Sequence, residues 1–197
     1  MPKIIDHDVQ RGEIADAFLR VIADKGPSAT TMRNVAREAG CSPSLPMHYF
    51  DSRPALIEFA FARQANDLVT ELRAITSARS SARDRLRHVI AHLVNRSCAN
   101  GAAWRSAIAM IVKAEQNSVI EGIDRQCFLD HLAILTDLLS EYAAETGMDM
   151  NADAEAAMLL TAVDGLALAT VTLGEAAPSL STALMNFLAH HYAIVLL

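Results

Sequence analysis

Apolar residues along this chain recur at intervals of three and four rather than two, and that spacing predicts helices throughout. A first helix is expected over Asp8 to Lys25, with Ile14, Ala17, Phe18, Val21 and Ile22 on one face and Gly26-Pro27 as its stop. A short second helix follows over Thr31 to Ala39, capped by Thr30 or Thr31 and ended by Gly40, which can take the left-handed conformation a sharp reversal needs. Ser42 and Pro43 have the chemistry of the cap and first position of a third helix, and Asp51 or Ser52 that of the cap of a fourth reaching Thr76. Ser77 to Ser81 reads as a connection to a fifth helix with Leu86, Val89, Ile90, Leu93 and Val94 in line, ended by Asn100-Gly101. A sixth is expected over Ala103 to Ala114 and a seventh over Val119 to Glu145, the latter aligning Phe128, Leu132, Leu135, Leu139 and Tyr142. The last two span Ala152 to Leu173 and Ser179 to Val195, so the fold class is all-α with about nine helices.

The helix over Ala152 to Leu173 is apolar nearly all round and must be covered on both sides. A homodimer answers this: one side packs on its own subunit, the other on a second copy across a two-fold axis. Leu166, Ala169, Leu184, Phe187 and Leu188 are the residues expected at that interface. A membrane span is the alternative, but Asp164 sits in the middle of the stretch, and a carboxylate at the bilayer centre costs about 2.5 to 3.5 kcal/mol. The expectation is a helix buried in protein, with no membrane partner.

Length and charge refine this picture without changing it. The 197 residues suffice for a sizeable core. Cys41, Cys98 and Cys127 are too few and too scattered for a disulfide framework or a metal knuckle. The opening MPKIIDHDVQRGE scatters charge where a secretory signal would be apolar, so a cytoplasmic home is expected. The net charge of −6 is unevenly spread: Met1 to Arg63 holds eight basic and eight acidic residues, while Gln64 to Leu197 holds nine and fifteen. The first segment is therefore free to meet a polyanion, since phosphate contacts depend on where the cations are presented.

Two short helices joined by a glycine turn, in TMRNVAREAGCSPSLPMHYF, match the helix-turn-helix plan. Ala36 is small where the helices cross, Gly40 makes the turn, and Val35 and Ala39 face inward; an ordinary helical hairpin in a core fits the same features. The wider stretch from Arg11 to Leu56, with TTMRNVAREAGCS, HYF and DSRPAL, resembles the N-terminal domain of TetR-family repressors. The segment LLTAVDGLALATVTLGE resembles the penultimate helix of the choline-responsive BetI branch of that family.

The resemblance implies a three-helix DNA-binding domain over 1–52 and a larger effector-binding and dimerisation domain over 53–197. It implies a repressor that sits on a palindromic operator in double-stranded DNA and is released by a small-molecule effector, with no cofactor and no catalysis. Carried over by position, Arg33 would reach a base edge, Thr31, Ser42, Tyr49 and Arg53 would contact phosphates, and Pro43, Ser44, Leu45, Met47 and His48 would face the groove. Three residues depart from the family pattern: Ser44 stands where glycine is usual, Pro46 where an aliphatic residue packs inward, and Met47 where tyrosine commonly meets a phosphate. If Ser42 is the cap, Pro46 forfeits a bond to the Ser42 carbonyl and crowds it, so the first turn is distorted or the helix starts later with Ser44 as cap.

Effector candidates are residues out of place on apolar faces: His131, Trp104, Met110, Phe128 and Asp164. Each is equally at home as core or as a structural hydrogen bond. His88 and His92 lie one turn apart but opposite the fifth helix's apolar stripe and without a nearby third ligand, so no metal is expected and solvent exposure is. There is no Walker loop, HExxH or GxSxG. An all-helical enzyme and an interaction module that has lost DNA binding are the competing classes.

Overall fold

The computed structural model describes residues 7–99, 118–173 and 177–194. Eight helices and no strand occur among them: α1 (His7–Lys25), α2 (Met32–Glu38), α3 (Leu45–Tyr49), α4 (Arg53–Thr76), α5 (Ala82–Ala99), α6 (Ser118–Thr146), α7 (Ala152–Leu173) and α8 (Ala177–His191). The helix expected over Ala103 to Ala114, with Trp104 and Met110, lies outside the described residues. The chain divides into two compact units, one of residues 1–66 and 102–124, the other of residues 67–101 and 125–197.

In the first unit the predicted face of α1 is buried: Ile14, Ala17, Phe18 and Ile22 pack with Val35 of α2, with Phe50, and with Leu56 and Ala60 of α4. The α2 ends follow their chemistry. Thr31 is the cap, its hydroxyl oxygen accepting from Asn34 N at 3.2 Å. At the other end Gly40, at φ +65°, lets its own N–H reach Arg37 O and that of Cys41 reach Ala36 O, the paired bonds of a Schellman motif.

The expected start of the third helix needs correction. Ser42 and Pro43 belong to a turn, closed by Leu45 N donating to Ser42 O at 3.0 Å, and α3 begins at Leu45 with Ser44 as its cap residue. That later start puts Pro46 in the first helical turn, where no N–H is needed, and its ring is buried. Of the two candidate caps for α4, Ser52 takes the role, accepting from Ala55 N.

The second unit has a larger core: Leu72 of α4, Leu86, Val89, Ile90 and Leu93 of α5, Leu135, Leu138, Leu139 and Tyr142 of α6, and Leu159, Leu160, Val163 and Leu166 of α7. By length and composition α7 could cross a bilayer, yet six of its residues, Ala156 to Ala167, are buried where it packs on α5 and α8. The last helix stops at His191, short of the expected Val195. Tyr192 and Ile194 turn into the core, and a second Schellman pair, Ala193 N to His190 O and Ile194 N to Ala189 O, makes the reversal. Here the left-handed position is held by Ala193, at φ +46°.

These two helix ends give opposite expectations. Gly40→Ala should destabilise the chain by about 1 kcal/mol and Ala193→Gly should stabilise it by a similar amount, since an L side chain is strained at positive φ. Urea denaturation of the two variants beside the parent measures both signs.

Candidate nucleic-acid interface

Two helices of seven and five residues cannot persist unaided, so the arrangement of α2 and α3 depends on what ties them down. Beyond the core, the tie is polar. The Arg53 guanidinium, at the start of α4, donates from Nε to Thr30 O at 2.9 Å and from Nη2 to Thr30 Oγ1. Thr30 is buried, and the Asn34 amide donates to Ala29 O at 2.8 Å from the other side of the same turn. Arg11 adds a cation over the faces of Phe50 and Phe59, 5.2 and 4.5 Å from their centroids. Arg20 and Glu38 join α1 to the end of α2 at 3.1 Å.

On this scaffold Arg33 is exposed on α2 and has no hydrogen bond or ion pair among the described residues. Arg37, one turn on, is exposed as well, a position that its four-residue spacing from Arg33 signals. Ser42, Pro43, Ser44, Met47 and His48 are all exposed, with the Ser42 and Ser44 hydroxyls 3.3 Å apart. Thr31 is exposed too, its hydroxyl still able to donate. Tyr49 is half-buried, its ring 5.4 Å from that of His7 and edge-on to His48 at 5.3 Å.

Two of the expected DNA contacts are placed differently. Leu45 is half-buried beside the buried Pro46 rather than standing out with Met47. Arg53 is half-buried, and two of its donors, on Nε and Nη2, are bonded to Thr30.

In the second unit His131 is only 7% exposed, with Cys127 Sγ 3.6 Å from its Nε2 and 3.9 Å from its Nδ1. Burial pushes the imidazole below its ordinary value, the nearby Asp130 opposing that and Arg96 adding to it. Arg96 and His92 both donate to one Glu71 oxygen, at 2.9 and 3.1 Å, so His92 is half-buried and paired rather than solvent-facing. Asp164 is half-buried and has an interaction partner. Phe128, expected on the buried stripe of its helix, is exposed.

Of the residues expected at a dimer contact, Leu166 and Leu188 belong to the subunit's own core, at 5% and 3% exposure. Ala169 and Leu184 are half-buried, and Phe187 is exposed at 62%. The correction is one of helix face: Met158, Leu168 and Leu173 are the large apolar side chains that α7 leaves uncovered.

Residues 14–59, which hold all of α2 and α3, match the family model for bacterial regulatory proteins of the tetR family. The chain is 28% identical to the HTH-type transcriptional regulator PksA of Bacillus subtilis over 178 residues, 85% of this chain and 82% of that protein. It is 40% identical to the HTH-type transcriptional regulator BetI of Rhizobium meliloti over 83 residues, 40% of this chain and 41% of that one. Among solved structures, a TetR transcription regulator from Haloarcula marismortui superposes with a TM-score of 0.79 at 21% identity, covering 94% of this chain and 97% of the other. The regulator FadR of Bacillus subtilis, in complex with stearoyl-CoA, gives 0.69 at 16% identity, covering 89% and 96%.

The Arg53 tie is testable apart from any ligand. Arg53→Ala should cost about 1.5 to 3 kcal/mol of stability, the worth of charge-assisted bonds to a buried partner, while Arg33→Ala should leave stability within about 0.5 kcal/mol. Chemical denaturation followed by far-UV circular dichroism compares them.

Proposed function

Because the chain belongs to the tetR family of bacterial regulatory proteins and is a DNA-binding transcriptional regulator, we propose that it works in the cytoplasm as a homodimeric repressor of a palindromic operator, released by a small molecule. The observation that carries the reading is the exposed Arg33, without a hydrogen bond or ion pair among the described residues, beside the uncovered face of α3, both held by a buried scaffold. In this reading Arg33 bonds a guanine edge bidentately, and Pro43, Ser44, Met47 and His48 face the major groove. Thr31, Ser42 and Tyr49 meet phosphates, with Arg37 as a further cation, and Arg53 positions the helices from behind.

The dimer reading rests on α7. Ala154, Met158, Thr161, Gly165, Leu168 and Thr172 are all exposed and follow one another at spacings of four and three, a seam along one face. Leu180 and Phe187 of α8 are exposed as well. Pairing these helices with their copies across a two-fold axis makes a four-helix contact. The effector reading draws on the ligand named for FadR and on polar groups set into the second unit: His131, Asp164 and the Glu71, His92, Arg96 cluster. An effector releases DNA only by binding the DNA-incompetent arrangement more tightly, typically by about 1 to 3 kcal/mol.

Fluorescence anisotropy with duplex from the protein's own upstream region, and with scrambled duplex, tests the DNA reading. Arg33→Ala should weaken binding to the specific duplex by about 1 to 3 kcal/mol and leave scrambled DNA nearly unchanged. Equal losses on every duplex, or no salt-sensitive preference in the parent protein, would refute it. Sedimentation at micromolar concentration should give a dimer; a monomer refutes that part.

A further inference from the structure

The turn before α3 and α3 itself divide into two faces. Pro46 and Phe50 are buried and Leu45 and Tyr49 half-buried, while Ser42, Pro43, Ser44, Met47 and His48 stand out. Met47 is 52% exposed, and between Gln10 and Ser118 it is the only large hydrophobic side chain among the described residues left in that state. Its neighbours do not cover it: the His48 ring is edge-on to Tyr49, and the Ser42 and Ser44 hydroxyls face each other. No carboxylate occurs from Cys41 to Phe50.

A thioether has no hydrogen to donate and accepts only weakly, so Met47 can bond neither a phosphate nor a base edge with any strength. What it can do is remove apolar area from water, and its unbranched stem adapts to the partner's shape. The floor of the major groove offers one apolar group, the 5-methyl of thymine. We propose that Met47 reads thymine by contact with that methyl, so that each operator half-site carries a thymine opposite the middle of α3. The inference rests on the DNA-binding reading above and adds to it the base that this position selects. It also accounts for a recognition surface in which two of the four side chains read as facing the groove, Pro43 and Met47, carry no polar group able to reach a base.

The test uses the full-length protein and a duplex selected by it from random sequence. Each thymine is replaced in turn by deoxyuridine, which lacks only the methyl, and affinity is read by anisotropy. One thymine per half-site should show a loss of about fourfold, the worth of one buried methyl group. Met47→Ala should abolish that penalty while binding the parent duplex and its deoxyuridine form alike, and Met47→Leu should keep it. Specific binding in which no deoxyuridine weakens the parent protein, or a penalty unchanged in Met47→Ala, overturns the inference and leaves the DNA reading standing. Failure of the parent protein to select any sequence overturns both.

Discussion

Forming the first turn of a helix fixes several dihedral angles for one hydrogen bond, and helices of seven and five residues never recover that cost alone. Everything the first unit can do at a surface follows from this constraint. Val35 and Ala36 anchor α2 and Pro46 anchors α3, but burial by itself leaves short helices free to rotate. The Arg53 bonds to Thr30, the Asn34 bond to Ala29 and the two-bond reversal at Gly40 fix their direction. Buried, directional contacts behind and unpaired polar and apolar groups in front are what a rigid reading head requires, since a side chain has to arrive at a base edge without a further ordering cost.

The second unit solves a different problem. Its helices are long, so their termini matter less and its core carries it. Polar bonds nevertheless tie its helices together. Ser97 is buried and bonds to Leu93 O and Val163 O, Glu145 accepts from Ala82 N at the start of α5, and Tyr142 donates to the carbonyl of Tyr192. The Tyr192 hydroxyl in turn donates to Glu155, at 3.1 Å, and burial together with that carboxylate raises its pKa. These bonds pin the turn after α8 onto α6 and α7. The exposed seam of α7 stands out against these contacts.

Much of this was legible from residue order, for reasons that also explain what was not. Periodicity located the faces of α1 and α5 residue by residue, because one side of each is polar. It could not choose a face for α7, which is apolar all round, and so Leu166 was assigned outward while Met158 and Leu168 hold that position. Ser42-Pro43 carries a sound local signature for a helix start, but Pro46 makes that start costly and the cap moves to Ser44, one of the two outcomes the proline allowed. The end of α8 was unreadable because no glycine marks it; burial of Tyr192 and Ile194 imposes it. Arg53 was recognisable as important, but its bonds to Thr30, twenty-three residues earlier, carry no signal in residue order.

The central claim, that the exposed face of α2 and α3 enters the major groove, is tested most directly by methylation protection of guanine N7 on a selected duplex. The account predicts protected guanines in two clusters related by the duplex dyad, lost when Arg33 is replaced by alanine. Tight, sequence-selective binding with every major-groove N7 still open to methylation would contradict it.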